Sequence, residues 1–430
     1  MKTNIQTDGM RFVARDNRSS ETTKPQTEPV AHPEMVRKTD VSTPVLLLGG
    51  GGNSASVVRN LGRRGITVRL CGPSSAWGVF SRFRKESFII PDSQDLQAYW
   101  KIFLLGPESG ALDGHILIAL CDASIEFMSE NYEALSHRYI LEDSNPRLRL
   151  KMLDKKATLE QGKAAGVAVP NFWTINSLDD LEEIRKEVVF PVMVKPINSH
   201  LFIPVFGRKL FIIEDNFDEV IEKVRLSFEH DLEVMVCEMV PGPDDLLSSY
   251  YTYIDADGNN LFNYTKSITR RYPVNRGGAC YHQSEWRPET AEQGKKFFAS
   301  MAWRGMANIE FKHGLRDGKL KVIEVNPRFT DAHRLMVEAG LPLDFMIYCR
   351  LTNQPVPEPV YDSKMLHCWN PLRDFLAFLE MRRAGDLTLI GWLKSIGTDR
   401  KVLAMFSLFD PIPSVVRLAQ EIGRARRKGR

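Results

Sequence analysis

The stretch ANIEFKHGLRDGKLKVIEVNPRF, residues 307–329, decides the fold and the chemistry of this chain. It contains two apolar, strand-like runs, and a three-residue loop Arg316-Asp317-Gly318 with a left-handed glycine predicts that they form a hairpin. In that register Glu310 lies directly opposite Glu324, and Asn326 follows two residues later on the same face. The hairpin is therefore predicted to gather three oxygen-bearing side chains.

Carboxylates that face each other across a hairpin destabilise it, and a divalent cation between them would reverse that effect. Mg²⁺ prefers hard oxygen ligands and usually shares its site with substrate phosphates. Two carboxylates and an amide oxygen therefore predict that Glu310, Glu324 and Asn326 hold Mg²⁺ or Mn²⁺. The alternative is a solvent-facing edge hairpin whose acids are incidental.

Bulk composition excludes several classes of protein. The 430 residues are 43% apolar and 26% charged, and 57 Lys and Arg against 54 Asp and Glu are too balanced to argue for nucleic acid. Six scattered cysteines without C-x-x-C spacing argue against a disulfide framework and favour a reducing cytoplasm. We find no apolar run near the ~20 residues that span a bilayer, and no secretory signal.

The chain divides into four predicted parts. Residues 1–43 are polar and without apolar period, which favours a disordered leader. Residues 44–145 alternate strands and helices in the manner of a doubly wound, Rossmann-like α/β domain. Residues 146–355 carry buried strands and hairpins of an α+β kind, with a small lobe at about 190–240, and residues 356–430 are predicted to be helical.

The order of several short motifs resembles the ATP-grasp superfamily, more particularly its carboxylate–amine ligase-like members with a carbamoyl-phosphate-synthase-type core. These motifs are DK before a helix and GVAVP, FPVMVKP, VCEMVPG, RRYP, IEFK and IEVNPR. The resemblance covers roughly residues 44–355. It implies a pre-ATP-grasp domain at 44–145, and ATP and Mg²⁺ bound between the two lobes of 146–355.

The resemblance implies two lysines on the phosphates of ATP. Lys155, just before the first helix, and Lys195, at the end of a strand, match those positions, and Lys156 is an alternative to Lys155. Many relatives carry a Gly-rich loop over the phosphates after the second lysine. Here residues 197–213 contain only Gly207, so a different phosphate cover is expected.

The segment CEMVPG resembles the connection between the two lobes, where the adenine ring is held. Glu238 would accept from the adenine amino group, and the backbone of Met239 and Val240 would contact the ring edge. Asp245, or alternatively Asp244, would bind the ribose hydroxyls.

Two arginines match positions near the γ-phosphate and the substrate. Arg270, or alternatively Arg271, precedes Tyr-Pro, and Arg328 lies in NPR. Guanidinium groups bind planar oxyanions through two hydrogen bonds and stabilise a transferring phosphoryl group. The resemblance therefore implies an ATP- and Mg-dependent ligase that activates a small carboxylate as an acyl phosphate and joins it to an amine. The alternative is an ATP-binding scaffold or regulatory protein without turnover.

The segment GGGGNSA, residues 49–55, contains G-x-G-x-x-A after a strand and before a helix, as dinucleotide sites do. Such sites also need an acid about 20 residues later, and none occurs from Gly49 to Lys85. An NADP-dependent oxidoreductase, with Arg69 on the 2′-phosphate, is the remaining form of this hypothesis. Otherwise the glycines serve a tight turn or bind an anionic substrate at the helix N-terminus.

The chain ends in a basic cluster: Arg424, Arg426, Arg427, Lys428 and Arg430. With the apolar residues before it, this segment is interpreted either as a helical cap with a solvated tail or as a peripheral contact with anionic lipid. The sequence leaves a homodimer open. The predicted location is the cytoplasm, with or without contact to a membrane.

Overall fold

The computed structural model describes residues 39–197, 199–361, 365–397 and 400–428. Most of the predicted leader and Arg430 of the basic cluster lie outside the described residues, as do the side chains of residues 424–428. Helices and strands alternate at first, and strands then dominate from residue 234 to residue 326.

In the described residues, fifteen strands form three sheets. The strands are β1 Val45–Leu48, β2 Val68–Pro73, β3 Glu86–Ile90, β4 Ile116–Ala119, β5 Phe172–Ile175, β6 Val192–Pro196, β7 Phe211–Ile213, β8 Val234–Glu238, β9 Leu247–Ile254, β10 Asn260–Tyr272, β11 Gly278–Ser284, β12 Gly305–His313, β13 Leu320–Asn326, β14 His367–Trp369 and β15 Lys401–Leu403.

Helices cover the faces of these sheets. They are α1 Gly52–Arg63, α2 Leu96–Leu105, α3 Asp122–Glu130, α4 Tyr132–Ser136, α5 Pro146–Lys151, α6 Lys155–Ala164, α7 Asp179–Ile184, α8 Ser199–Phe206, α9 Phe217–Phe228, α10 Pro288–Ala299, α11 His333–Glu338, α12 Leu343–Leu351, α13 Pro371–Ala384, α14 Leu389–Ile396 and α15 Ile412–Lys428. Short 3-10 helices lie at Trp77–Phe80, Pro107–Leu112 and Asp244–Leu246.

The first sheet is parallel, in the order β3-β2-β1-β4. All four residues of β1 are fully buried, because helices cover both faces of such a sheet and the strand must be apolar throughout. The second sheet is antiparallel, in the order β5-β8-β6-β7, and has a hydrophobic core of its own. The first sheet lies within the predicted Rossmann-like domain, and the second combines strands of the predicted small lobe, about 190–240, with the earlier strand β5.

The third sheet has seven strands in the order β13-β12-β9-β10-β11-β14-β15. One face packs against α10 through Phe297 and Phe298. The other face, with Tyr251 and Tyr264, shares a core with α1, α11 and α12. The Rossmann-like part therefore lies on the face of the large sheet that carries the predicted metal ligands.

The hairpin of β12 and β13 pairs Glu310 with Glu324, and it reaches this register by a different turn. The Gly314 N–H donates to the Lys319 carbonyl at 2.8 Å, so four residues form the loop and the predicted three-residue loop is wrong. Strict alternation from there would set Glu310 opposite Ile323. A β-bulge at Ile323 leaves that residue unpaired and restores the Glu310–Glu324 pair, so the predicted pairing is confirmed.

The C-terminal segment departs from the helical expectation in one respect. β14 pairs with β11, and β15 pairs with β14, so this segment extends the large sheet by two strands. Each strand has three residues, which is too short for an alternating pattern to predict it. Within the described ranges, none of the helices is both long and apolar enough to cross a membrane.

Candidate active site

A row of polar side chains crosses the large sheet at the predicted metal site. Glu324 pairs with Glu310, Glu310 with Ser249, and Ser249 with Lys266. Directly opposed residues on neighbouring strands share a face, so all four side chains point the same way. The Ser249 hydroxyl is buried without a hydrogen-bond partner among the described residues, and Lys266 is 3% exposed.

The charges in this row perturb one another. Burial raises the pKa of Glu310, and the neighbouring Glu324 raises it further, while Lys266, Arg271 and Arg328 act in the opposite direction. Burial lowers the pKa of Lys266, and Glu310 opposes that effect. The two carboxylates are therefore close enough to repel, and their charge is only partly balanced by protein cations.

Asn326 lies beside the carboxylates at the end of β13. Its amide Nδ2 donates to Glu324 Oε1 and to Asn308 Oδ1, each at 3.2 Å. Asn308 is fully buried and in turn donates to the Tyr250 carbonyl at 3.2 Å. The Asn326 amide is thus held in position next to Glu324, and it would offer its oxygen to a cation only with the amide turned over.

The donors on this face fit a hard divalent cation. The described residues contain no cluster of three or more His, Cys, Asp or Glu side chains that could enclose a metal by themselves. Two opposed carboxylates and one amide leave further coordination positions for water and phosphate oxygens, as Mg²⁺ sites that share a nucleotide do. Glu310, Glu324 and Asn326 would hold such a cation.

Lys155 and Lys195 lie at the Glu324 end of the row. Lys155 is the first residue of α6, where the Asp154 side chain caps the helix by accepting from the Ala157 N–H at 3.0 Å. Burial lowers the pKa of Lys155, and the charge of Lys195 lowers it further, whereas Glu324 raises it. The structure therefore brings both lysines and Glu324 together.

Lys156, the alternative to Lys155, points elsewhere. Its ammonium lies 3.9 Å from Glu160 on the same helix, and 36% of its side chain is exposed. Successive helical residues are rotated by about 100° around the helix axis, so only one of two neighbouring lysines can point toward Lys195 and Glu324. The geometry favours Lys155.

Arg328 joins the hairpin to the Rossmann-like part. Its Nε donates to Asp122 Oδ1 at 2.7 Å, and Asp122 is the first residue of α3, just after β4. Burial lowers the pKa of Arg328, but Asp122 and Glu324 outweigh it and the pKa is raised. The guanidinium is therefore held permanently charged next to the carboxylate pair.

Arg270 and Arg271, the two alternatives for one predicted position, point to different places in the structure. Arg270 is 3% exposed, and its Nε and Nη2 donate to Asp374 of α13 at 2.7 and 3.1 Å. Arg271 instead acts on the pKa of Glu310. The register of β10 against β11 shifts on both sides of Arg270, which turns the two side chains apart. The structure therefore places Arg270 against α13 and the alternative, Arg271, near Glu310, and the contact of either with the substrate stays a prediction.

Glu238 is already engaged by the protein. Its Oε2 accepts from the Asn171 N–H at 3.1 Å and from Lys321 at 3.2 Å, and its Oε1 accepts from Arg316 at 3.3 Å. A carboxylate with these partners has little capacity left for an adenine amino group. The side chain ties β8 to the β12–β13 hairpin, and its contact with adenine stays a prediction.

The backbone after Glu238 offers one polar edge. The Met239 N–H donates to the Pro191 carbonyl at 3.0 Å, whereas the Val240 N–H has no backbone or side-chain acceptor among the described residues. Asp244 is buried and accepts from Arg271 Nε at 2.8 Å, while Asp245 is exposed. Val240 and Asp245 therefore keep the capacity to contact a nucleotide, and Asp244 does not.

The segment after Lys195 folds as α8 followed by a turn with Gly207 at φ +62. Residue 198 lies outside the described residues. The charge of Lys209, just after this turn, contributes to the lowered pKa of Lys155. A helix and a turn with a lysine thus stand where the resemblance implies a glycine-rich loop.

Sequence reasoning missed two further cations. Lys266 lies in the row described above, and Lys312 follows Glu310 by two residues on β12. Burial, followed by the charge of Arg271, lowers the pKa of Lys312 to about 8, and its Nζ donates to the Gly242 carbonyl at 2.6 Å. The alternation in IEFK could have placed Lys312 on the Glu310 face. Nothing local marks Lys266, because its neighbours in the row come from distant parts of the chain.

The Gly-rich turn before α1 is filled by protein groups. Asn53 Oδ1 accepts from the Gly51 and Ser54 N–H groups, at 2.7 and 2.9 Å, and Asn53 Nδ2 donates to the Leu120 and Phe329 carbonyls, at 2.8 and 2.9 Å. The Asn53 N–H donates to Asp331 Oδ1 at 3.0 Å. The N-terminus of α1 is thus occupied by a carboxylate of the same chain.

The glycines of this turn are required by close packing. A Cβ on Gly49 would lie 2.5 Å from the Cys121 sulfur, and φ is +67 there. Arg69 is also committed, with Nε 3.2 Å from Glu86 and Nη1 2.6 Å from His115. The turn therefore serves the fold, and the geometry does not favour a dinucleotide.

Comparison with known proteins identifies relatives and a fold. The chain is 24% identical over 266 residues to a D-aspartate ligase of Enterococcus faecium (strain Aus0004), covering 58% of this chain and 62% of the relative. It is 27% identical over 213 residues to the vancomycin/teicoplanin A-type resistance protein VanA of Enterococcus faecium, covering 45% and 59%. The chain thus matches about three fifths of the length of these relatives. No family model matches it.

Among solved structures, N5-carboxyaminoimidazole synthetase from Staphylococcus aureus complexed with ADP superposes with a TM-score of 0.58. Its sequence identity to this chain is 15%, and the match covers 81% of this chain and 87% of that one. The two chains therefore share a fold that includes both the Rossmann-like part and the two lobes.

Proposed function

We propose that this chain, which has the fold of the ATP-grasp superfamily, is an ATP- and Mg-dependent ligase that joins a carboxylate to an amine. The observation that carries the proposal is the row Glu324, Glu310, Ser249, Lys266 across the large sheet. Lys155 and Lys195 stand at its Glu324 end, so the row has cations at both ends and opposed carboxylates in between.

The reaction needs positioning and charge more than a protein nucleophile. Lys155 and Lys195 hold the phosphates of ATP, and a Mg²⁺ ion on Glu310, Glu324 and Asn326 would neutralise the charge of the transferring phosphoryl group. A carboxylate oxygen of the substrate attacks the γ-phosphorus and ADP leaves. The amine nitrogen then attacks the acyl carbon, and phosphate leaves with the electron pair.

Arg271, Arg328 and Lys266 complete the site on the substrate side. Each lowers the pKa of Glu310, so each lies near the proposed cation site. Fixed cations there stabilise the negative charge that spreads over the phosphoryl oxygens in the transition state. The name of the first relative supports an amino acid as one of the two substrates.

Hydroxylamine trapping tests the proposal without knowledge of the natural amine. Acyl phosphates react with hydroxylamine to give hydroxamates, so a panel of carboxylates, with D- and L-aspartate included, is incubated with ATP, Mg²⁺ and hydroxylamine. One carboxylate is expected to yield hydroxamate and ADP in equal amounts. Nucleotide binding in calorimetry without ADP or hydroxamate across the panel would contradict the proposal.

A scaffold or regulatory function is the second candidate, and one observation favours it. Residues after Lys195 form α8 instead of a glycine-rich phosphate cover. A nucleotide can bind beneath such a helix, but the loop closure that commits a substrate to reaction would then be missing. Binding without turnover in the trapping experiment is the result that this second candidate requires.

A further inference from the structure

The last helix packs on the protein through its polar face. Arg417 of α15 lies over the ring of Trp77 at 4.6 Å and pairs with Glu421 at 2.9 Å. Gln420 accepts from Trp77 Nε1 at 2.9 Å and donates to the Ser74 carbonyl at 3.3 Å. An amphipathic helix on a globular protein normally buries its apolar side, so this orientation is reversed.

The apolar face of α15 is turned outward and continues into the preceding loop. Its members are large apolar side chains with 45% or more of their surface exposed: Leu408 80%, Phe409 71%, Ile412 53%, Val415 61%, Leu418 48% and Ile422 45%. In the helix these residues recur at intervals of three or four, so they form one stripe. A contiguous apolar surface of this kind marks an interaction site.

The segment that carries this stripe is basic. Residues 400–430 contain eight basic and two acidic residues, although the whole chain carries only +3. Asp410 is buried and paired with Arg59 at 2.8 Å, and Glu421 is paired with Arg417. Two exposed arginines flank the loop: Arg63 donates to the Ser407 hydroxyl at 3.3 Å, and the Arg82 N–H donates to Asp410 at 2.9 Å. Both acids of residues 400–430 are thus paired, and exposed arginines lie beside the loop that begins the stripe.

We propose that the stripe formed by Leu408, Phe409 and the outer face of α15 docks this chain onto an anionic lipid bilayer. Apolar side chains enter the boundary between head groups and acyl chains, and the surrounding arginines and lysines bind the negative surface. A second copy of the chain fits less well, because a symmetric contact would bring two strongly basic segments together. The proposal is independent of the ligase function.

Vesicle co-sedimentation of the full chain tests the docking surface. Vesicles of phosphatidylcholine alone are compared with vesicles that also contain phosphatidylglycerol, and binding is expected only to the second kind. The double variant Leu408→Ser with Phe409→Ser is expected to bind about tenfold more weakly, since it removes the two most exposed members of the stripe. Binding is also expected to fall at 1 M salt, where charges are screened within about 3 Å.

Ile102→Ser on α2 is the matched control, because Ile102 is 75% exposed and lies away from the stripe in the Rossmann-like part. It is expected to bind vesicles like the unaltered chain. Thermal unfolding checks that all variants are folded. Failure to bind phosphatidylglycerol vesicles, or equal losses in the control and the double variant, would overturn the proposal. A dimer in sedimentation equilibrium that the double variant dissociates, without vesicle binding, would assign the surface to a second copy instead.

Discussion

The Gly-rich turn before α1 and the carboxylate pair on β12 and β13 both look like ligand sites in the sequence. In the folded chain the Asn53 side chain makes four hydrogen bonds, two to N–H groups of the turn and two to carbonyls of neighbouring segments. Asp331 accepts from the Asn53 N–H at the start of α1. Glu310 and Glu324 instead face each other, and the pKa of Glu310 is raised by burial and by that neighbour.

The difference teaches how to separate a structural motif from a binding site. The turn is held together without a ligand, because the Asn53 side chain and the Gly51, Asn53 and Ser54 N–H groups find partners in the same chain. The carboxylate pair is incomplete, since folding has placed two like charges together and the pKa of Glu310 stays raised in spite of the cations around it. A site that the protein leaves electrostatically unfinished is the one that a ligand completes.

The largest effect is expected for Glu324→Gln, which tests the incomplete site directly. Removing one anionic ligand of the cation should lower kcat/KM by roughly 10³-fold, about 4 kcal/mol of transition-state stabilisation. Glu324 is exposed, so the thermal midpoint should stay within a degree of the unaltered chain. ADP release and a circular-dichroism melt measure both quantities. Glu292→Gln on the exposed side of α10 is the control, and full activity of Glu324→Gln would refute the metal assignment.

Asn53→Ala tests the complete site. The substitution removes four hydrogen bonds, two of them to carbonyls that remain buried, and should lower the free energy of unfolding by roughly 3 kcal/mol. Urea unfolding measures the change, and Asn176→Ala at an exposed position should leave stability unaltered. Neither the unaltered chain nor the variant should bind NADPH in a fluorescence titration. Saturable NADPH binding would show that the turn is a ligand site after all.

The two neighbouring lysines of α6 sharpen the comparison at the nucleotide end. Lys155→Met and Lys195→Met should each raise the KM for ATP at least about tenfold, because each removes a point charge from the phosphates. Lys156→Met should change it less than about twofold, since that side chain points to solvent beside Glu160. Initial rates over a range of ATP concentrations provide the measurement. Equal effects at positions 155 and 156 would contradict the orientation of α6.

The smallest effect concerns the stability of the unliganded protein. The pKa of Glu310 is raised on folding, so its ionised form at neutral pH costs stability, and stability rises as the pH falls toward that raised pKa. Glu310→Gln should therefore raise the thermal midpoint by roughly 1–2 °C at pH 7.5 without divalent cations. The gain should disappear at acid pH, where the unaltered side chain is also neutral. A lower midpoint for Glu310→Gln at pH 7.5 would mean that the pair does not repel.

Some of this site could be predicted from the sequence because the information is local. Apolar runs and glycines set the strands and turns of the Rossmann-like part, and alternation on β12 and β13 set which side chains share a face. The hairpin shows the limit of such reasoning. Its carboxylates do pair as predicted. The register that pairs them comes from a four-residue loop and a bulge at Ile323, and no local sequence pattern predicts that bulge.

For other residues the sequence could not show the side-chain partners, because those partners are remote in the chain. Arg270 and Arg271 are adjacent in the sequence. Arg270 forms an ion pair with Asp374, about a hundred residues later, and therefore points away from the site. Glu238 is engaged by Lys321 and Arg316 of the β12–β13 hairpin. Pairings at such separations depend on how the sheets are assembled, and the sequence near each residue carries no record of them.

The sequence by itself therefore determined the strands and helices of the Rossmann-like part, the chemical nature of the candidate ligands, and the two carboxylates and two lysines on which the proposed chemistry depends. Only the tertiary structure decided which arginine lies near Glu310, that Asp331 accepts a hydrogen bond at the start of α1, and that α15 turns its apolar stripe outward. The physical reason is range: local patterns fix backbone conformation and side-chain facing within an element, whereas charge pairing and burial are settled between elements far apart in the chain.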